Sequence, residues 1–242
     1  MSTFSQRFAE LPEDLVVKVN GSRDEGLFIH VGRCVVEVLE KEVGELWKRR
    51  DMLDFGCGLG RVLKPLMERA PYANLVGFDI DVAMLEGCRR LLDDKRLRLV
   101  SSSSELPDQS FDLIFAISVF THLNSSFDHW LGEIDRLLRP GGLALLTYQD
   151  ETLFSEMASA GKIAGLEPGK AELNERFIVG GETPEGGAGL GTFLTTREWE
   201  ATVGRRFSIN VTVPRGLFGH QSYSVLGKKA PTRHGPTAAP RL

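Results

Sequence analysis

The chain lacks the features of several large function classes. Only three of its 242 residues are cysteine, Cys34, Cys57 and Cys88. They are scattered, without the paired spacing of a zinc or iron–sulfur site. An odd cysteine count and no signal-like start fit a reducing, cytoplasmic setting. There the glycosylation patterns Asn124-Ser125-Ser126 and Asn210-Val211-Thr212 stay unused. No apolar run nears the roughly 20 residues that span a bilayer. The longest, Leu113–Phe120, has the length of a strand. Positive charge is not in excess: the formal net charge is −4, which argues against a nucleic-acid backbone as the main partner. No carboxylate set is spaced to hold Mg²⁺, so metal independence is expected. No internal repeat and no second domain is visible.

What remains is an ordinary globular composition, 42% hydrophobic and 26% charged, with length enough for one large α/β domain. Its most informative stretch is Leu53-Asp54-Phe55-Gly56-Cys57-Gly58-Leu59-Gly60-Arg61. An apolar run ends in a carboxylate and three alternating glycines, and helical spacing (Leu59, Val62, Leu63, Leu66, Met67) follows at once. Pro65 is awkward beyond a first turn. Such a loop lets a ligand approach the backbone closely. The dinucleotide pattern G-x-G-x-x-G is missing its third glycine, because Arg61 stands there. Asp54 would face a pyrophosphate badly and suits a cation. S-adenosylmethionine, with a sulfonium and an ammonium and no phosphate, fits better than NAD. A plain structural turn is the alternative.

A second apolar run, about 74–79, ends in Asp79. That is about twenty residues past the loop, where a βαβ unit sets an acid beside a ribose. Asp81 is the better helix N-cap. Further strands are expected at about 51–55, 97–101, 111–117, 143–148, 207–213 and 221–227. Helices are expected at about 27–47, after Asp81 (Met84, Leu85, Cys88, Leu91, Leu92), after a capping box at Ser125-Ser126-Phe127-Asp128, and from Thr196. Trp130, Leu131, Ile134, Leu137 and Leu138 read as one buried stripe. The alternation implies a parallel sheet with right-handed crossovers. Residues 1–20 show no strong pattern. Residues 150–196 break the rhythm, and the glycine-rich 180–191 reads as a surface loop or a lid. The tail 229–242 reads as disordered.

Taken together, Asp54–Gly60, Gly77-Phe78-Asp79-Ile80-Asp81, Leu106–Leu113 and Leu137-Leu138-Arg139-Pro140-Gly141-Gly142 resemble the class I S-adenosylmethionine-dependent methyltransferases in order and spacing. The likeness covers about residues 20–228. Ser118-Val119-Phe120-Thr121-His122-Leu123, the early Ser22-Arg23-Asp24 and the late His220-Gln221 resemble a bacterial small-molecule and glycan subgroup. The resemblance implies a Rossmann-like, seven-stranded, mostly parallel sheet with an antiparallel last strand and helices on both faces. The domain would span 21–228, after an N-terminal segment 1–20, with 150–196 as a lid or substrate insertion. It implies S-adenosylmethionine as cofactor, held by Asp54, Gly56, Cys57, Gly58, Gly60, Arg61, Asp79, Ile80, Met84, Ser102, Ser103 and Ser118. Here the chain departs from the family, because Ser102 stands where an acid often receives the adenine amino group. The catalytic candidates are His122 and His220, each with a structural alternative: His122 bracing its turn, His220 anchoring a loop. His30 and Asp150 are further residues that could face substrate. Arg23 and Asp24 would close the N-terminal segment over the cofactor. Asp112 reads as fixing a turn. The expected reaction is methylation of a small molecule at a hydroxyl of a sugar-containing or natural-product metabolite, and a homodimer is a possible assembly. The alternatives are a S-adenosylmethionine-binding protein without methyl transfer, and an NAD-linked oxidoreductase.

Overall fold

In the strand β1 (Asp51–Phe55) alternate side chains part to opposite faces, as a period of two requires. Met52 joins one buried cluster, and Leu53 and Phe55 join another. The same division holds along β2 (Asn74–Phe78), where Leu75 goes one way and Val76 and Phe78 the other. A computed structural model of the chain describes residues 2–163, 173, 176–179 and 190–229. The lid reading of 180–189 and the disorder reading of 230–242 lie outside the described residues.

The remaining strands of the main sheet are β3 (Leu97–Val100), β4 (Phe111–Ala116), β5 (Leu138–Tyr148), β8 (Phe207–Leu217) and β9 (Gln221–Lys228). Their order is β3-β2-β1-β4-β5-β9-β8. Pairs from β3 to β5 are parallel, and β9 runs antiparallel to both β5 and β8. This is the expected Rossmann-like sheet. The chain runs outward from β1 to β3 and then returns to β4 on the other side of β1. That reversal opens a crevice at the carboxyl ends of β1 and β4.

One face is covered by α3 (Glu25–Val43), α4 (Leu63–Arg69) and α5 (Val82–Leu92), the other by α6 (Phe127–Leu137) and α8 (Thr196–Gly204). α3 stops at Gly44, short of the expected 47, and a 3-10 turn at Leu46–Lys48 follows. α4 starts only at Leu63, so Pro65 falls in its first turn, where its missing N–H breaks no helical bond. Ser126, not Ser125, is the N-cap of α6.

Two stretches contain elements that their sequence does not suggest. Residues 1–20 contain α1 (Phe4–Ala9), closed by a Thr3–Gln6 capping box, and α2 (Glu13–Asn20). Phe8, Leu11 and Val16 are buried in the core cluster shared with α5. Burying each is worth about 1.5–3 kcal/mol, which is enough to dock so short a segment. Within 150–196, α7 (Glu151–Ser159) packs with the antiparallel ribbon of β6 (Arg176–Val179) and β7 (Gly191–Leu194). Phe154 meets Phe177 and Phe193 there in a third, smaller cluster.

Candidate active site

β1 delivers Asp54 to the crevice, and the glycine loop turns over it. Gly56 N and Cys57 N both donate to the carbonyl of Phe78, at 2.7 and 2.9 Å, which ties the loop to the end of β2. Gly56 has φ +78°, and a Cβ there would lie 2.4 Å from Cγ2 of Val119. The position therefore demands glycine twice over, for its angle and for its lack of bulk. Gly60 also has positive φ, but a Cβ on it would strike Cys88 Sγ and Leu92 Cδ1, both at 2.7 Å. It serves helix packing and does not line the cavity.

The cavity measures about 720 Å³ and is walled by Asp54, Gly56, Cys57, Gly58, Arg61, Asp79, Ile80, Met84, Ser118 and His122, among others. Asp79 accepts from Gly58 N (2.8 Å) on one carboxylate oxygen and from Asp81 N (2.9 Å) on the other. Each oxygen keeps a lone pair for a further donor. Burial pushes its pKa up, against those two backbone bonds. Asp54 is 3% exposed, and its Oδ2 has no hydrogen-bond partner. Burial pushes its pKa well up and the charge of Asp79 adds to this, while Arg61 opposes it. Arg61 donates to the carbonyl of Val19 at 2.9 Å and remains a cation. The Cys57 thiol, beside Cys88 and buried, is pushed well above the ordinary thiol range.

Several wall residues carried no signal in the sequence. α2 contributes Val17, Lys18 and Val19, and Lys18 pairs with Asp81 at 2.9 Å across the cavity edge. Nothing local distinguishes these residues; they reach the site because α1 and α2 dock on α5. Trp130 is half-buried and lines the cavity beside Phe55 and Phe78, at centroid distances of 5.5 and 5.6 Å. The stripe pattern of α6 had placed it wholly in the core.

Other candidates lie elsewhere. Ser102 is exposed and caps a 3-10 turn, its hydroxyl 2.7 Å from that of Ser104. The Ser103 carbonyl accepts from Arg136 at 2.9 Å. Neither lines the cavity, because the turn closes on itself. His220 is exposed in the β8–β9 turn, its ring 5.9 Å from that of Phe218. His30 is exposed on α3 near Cys34. Asp150 is buried as the N-cap of α7, accepting from Thr152 N, Leu153 N and the Ser222 hydroxyl. Asp24 caps α3, and Arg23 bonds the carbonyl of Ala9. Asp112 accepts from Arg50 N and Asp51 N, joining the starts of β1 and β4.

His122 follows β4 in a 3-10 turn, and its Nδ1 lies 2.5 Å from the carbonyl of Leu190. A carbonyl can only accept, so in the neutral imidazole Nδ1 carries the proton and Nε2 the lone pair.

Residues 53–146 match the family profile described as a methyltransferase domain. Over that stretch the chain is similar to methyltransferase domains. Among curated relatives it is 33% identical over 138 residues to a malonyl-[acyl-carrier protein] O-methyltransferase of Legionella pneumophila, covering 52% of this chain and 48% of that protein. It is 28% identical over 130 residues to a trans-aconitate 2-methyltransferase of Methylobacterium radiotolerans, covering 53% and 49%. The chain thus spans about half the length of these relatives. Among solved structures it resembles a Burkholderia thailandensis 1,6-didemethyltoxoflavin-N1-methyltransferase with bound S-adenosylhomocysteine. That match has TM-score 0.60 and 18% identity, and it covers 95% of this chain and 92% of that one. At such identity the likeness speaks for the fold.

The site fits S-adenosylmethionine on its own chemistry. The unpartnered oxygen of Asp54 suits an ammonium, and the spare lone pairs of Asp79 suit ribose hydroxyls. The sign of the pH effect follows. Because the folded pKa of Asp54 is raised, the cofactor-free protein prefers it protonated, and that preference is lost as pH rises through the folded value. A cationic ligand prefers the ionised form. Affinity for S-adenosylmethionine should therefore rise with pH through the Asp54 ionisation, by up to about tenfold per unit, with protons released on binding at the acid end. Calorimetry in buffers of different ionisation enthalpy checks this. Asp54→Asn should abolish the slope; an unchanged slope would remove Asp54 from the cationic contact.

Proposed function

We propose that the chain transfers the methyl group of S-adenosylmethionine to a hydroxyl oxygen of a small molecule, within the sugar-containing or natural-product class that the Ser118–Leu123 motif implies. The observation that carries this is the placing of His122 on the cavity wall with Nδ1 committed to Leu190. S-adenosylmethionine supplies an electrophilic methyl on a sulfonium. Asp79 would bind its ribose; Asp54 and Arg61 would hold its amino-acid end. Nε2 of His122 would accept the proton of the attacking hydroxyl.

The relatives named for malonyl-[acyl-carrier protein] and trans-aconitate, and a fatty-acid O-methyltransferase of Mycolicibacterium smegmatis, raise acidic acceptors as a second reading. An ionised carboxylate needs no base and favours a free cation. Of the two cations on the cavity wall, Lys18 pairs with Asp81, and Arg61 would be taken by the carboxylate of S-adenosylmethionine. The poised imidazole therefore favours the hydroxyl.

Calorimetric titration with S-adenosylmethionine, S-adenosylhomocysteine and NAD, followed by mass spectrometry of products from matched alcohol and carboxylic-acid panels, tests this. Binding of the first two ligands and methylated alcohols are expected. Methyl esters alone would move the assignment to acidic oxygen. Binding without any product would favour a binding role without transfer.

A further inference from the structure

The chain leaves β4 through a residue in an unfavourable conformation. Ser118 has φ +61°, a left-handed angle that costs a side-chain-bearing residue about a factor of ten in population. Strain of this kind persists only where the surroundings hold it. Two contacts do so from outside the turn. Ser118 N donates to Thr147 Oγ1 of β5 at 2.8 Å. The Gln221 amide brackets the Ser118 hydroxyl, with Nε2 at 2.8 Å and Oε1 at 3.2 Å. Gln221 is 9% exposed, opens β9, and does not line the cavity.

The turn it grips borders both halves of the site. Its next residue, Val119, presses against Gly56 so closely that no Cβ fits between them. The 3-10 turn after it carries His122. A relaxed Ser118 would shift Val119 off the glycine loop and swing His122 relative to the cavity. We propose that Gln221 is a positioning residue, which holds Ser118 in its strained conformation and so sets the distance between the glycine loop and the His122 turn. This rests on the methyl-transfer reading above only in taking the cavity as the S-adenosylmethionine site.

The test is a double-mutant cycle read by titration with S-adenosylhomocysteine, which needs no acceptor. Gln221→Leu in the wild-type background should weaken binding about tenfold, the population cost of the released strain. Glycine takes φ +61° without help. In a Ser118→Gly background, Gln221→Leu should therefore change affinity by less than about twofold. The single variants give a second measure. Ser118→Ala loses the hydroxyl and keeps the strain, whereas Ser118→Gly loses both, so the glycine variant should bind several-fold more tightly. Thermal melting shows whether Gln221→Leu folds; if it does not, the two Ser118 variants decide alone. Equal losses from Gln221→Leu in both backgrounds, or alanine binding as well as glycine, would overturn the assignment. Failure of the wild-type chain to bind S-adenosylhomocysteine would be a separate result, removing the cofactor reading and this one with it.

Discussion

Asp79→Asn should lose S-adenosylmethionine binding by at least about 100-fold while remaining folded. Two charge-assisted bonds from ribose hydroxyls, at about 1.5–3 kcal/mol each, account for that loss. The asparagine variant is the informative one because Asp79 has two tasks. Its carboxylate also receives Gly58 N and Asp81 N. Asp79→Ala would leave both donors unpaired, at about 1–3 kcal/mol each, and would disturb the glycine loop itself. Asparagine removes the charge and keeps one of the two acceptors, leaving one backbone N–H unpaired where alanine leaves two. Removing that charge also lowers the pKa of Asp54, since Asp79 is one of the groups holding it up. Calorimetry with thermal melting separates these effects. A folded Asp79→Asn protein with unchanged affinity would withdraw the ribose assignment.

Replacing His122 should cost turnover and spare cofactor binding. As a general base it is worth about 10²–10⁴-fold in rate, and S-adenosylmethionine affinity should stay within about threefold. His122 also holds the β6–β7 ribbon through Leu190, so a loss in His122→Ala could arise from either role. His122→Asn separates them. An asparagine amide can still donate to the Leu190 carbonyl, but it has no basic nitrogen. If His122 is the base, both variants fall together. Recovery of turnover in His122→Asn would make the residue a tether, and the hydroxyl reading would then need another base.

The legibility of this chain follows the range of its interactions. Strand ends were read to within a residue for β1 and β2, because period-two burial is local. β5 begins earlier and β8 ends later than their apolar runs. Hydrophobic content stops at Gly142 and at Val213, whereas hydrogen-bond pairing continues beyond. The β6–β7 ribbon was missed because its few apolar residues sit among glycines, and their partners lie on α7. Asp54, Gly56, Cys57, Gly58 and Asp79, all read from one βαβ unit, line the cavity. Ser102 and His220, placed by analogy of position, do not line it.

The sequence by itself determined the sheet, its crossovers, the glycine loop and the two acids, since each depends on residue types at short spacing. Only the tertiary structure decided the rest. It brought α2 over the cavity through apolar burial on α5. It left one oxygen of Asp54 buried without a partner on the cavity wall. It chose the proton-bearing nitrogen of His122 by setting the Leu190 carbonyl against it, 68 residues along the chain. It joined Ser118 to Gln221 across 103 residues, so that a strained turn is held from the last strand. Each of these turns on distance and burial between remote segments, which no local pattern of residues encodes.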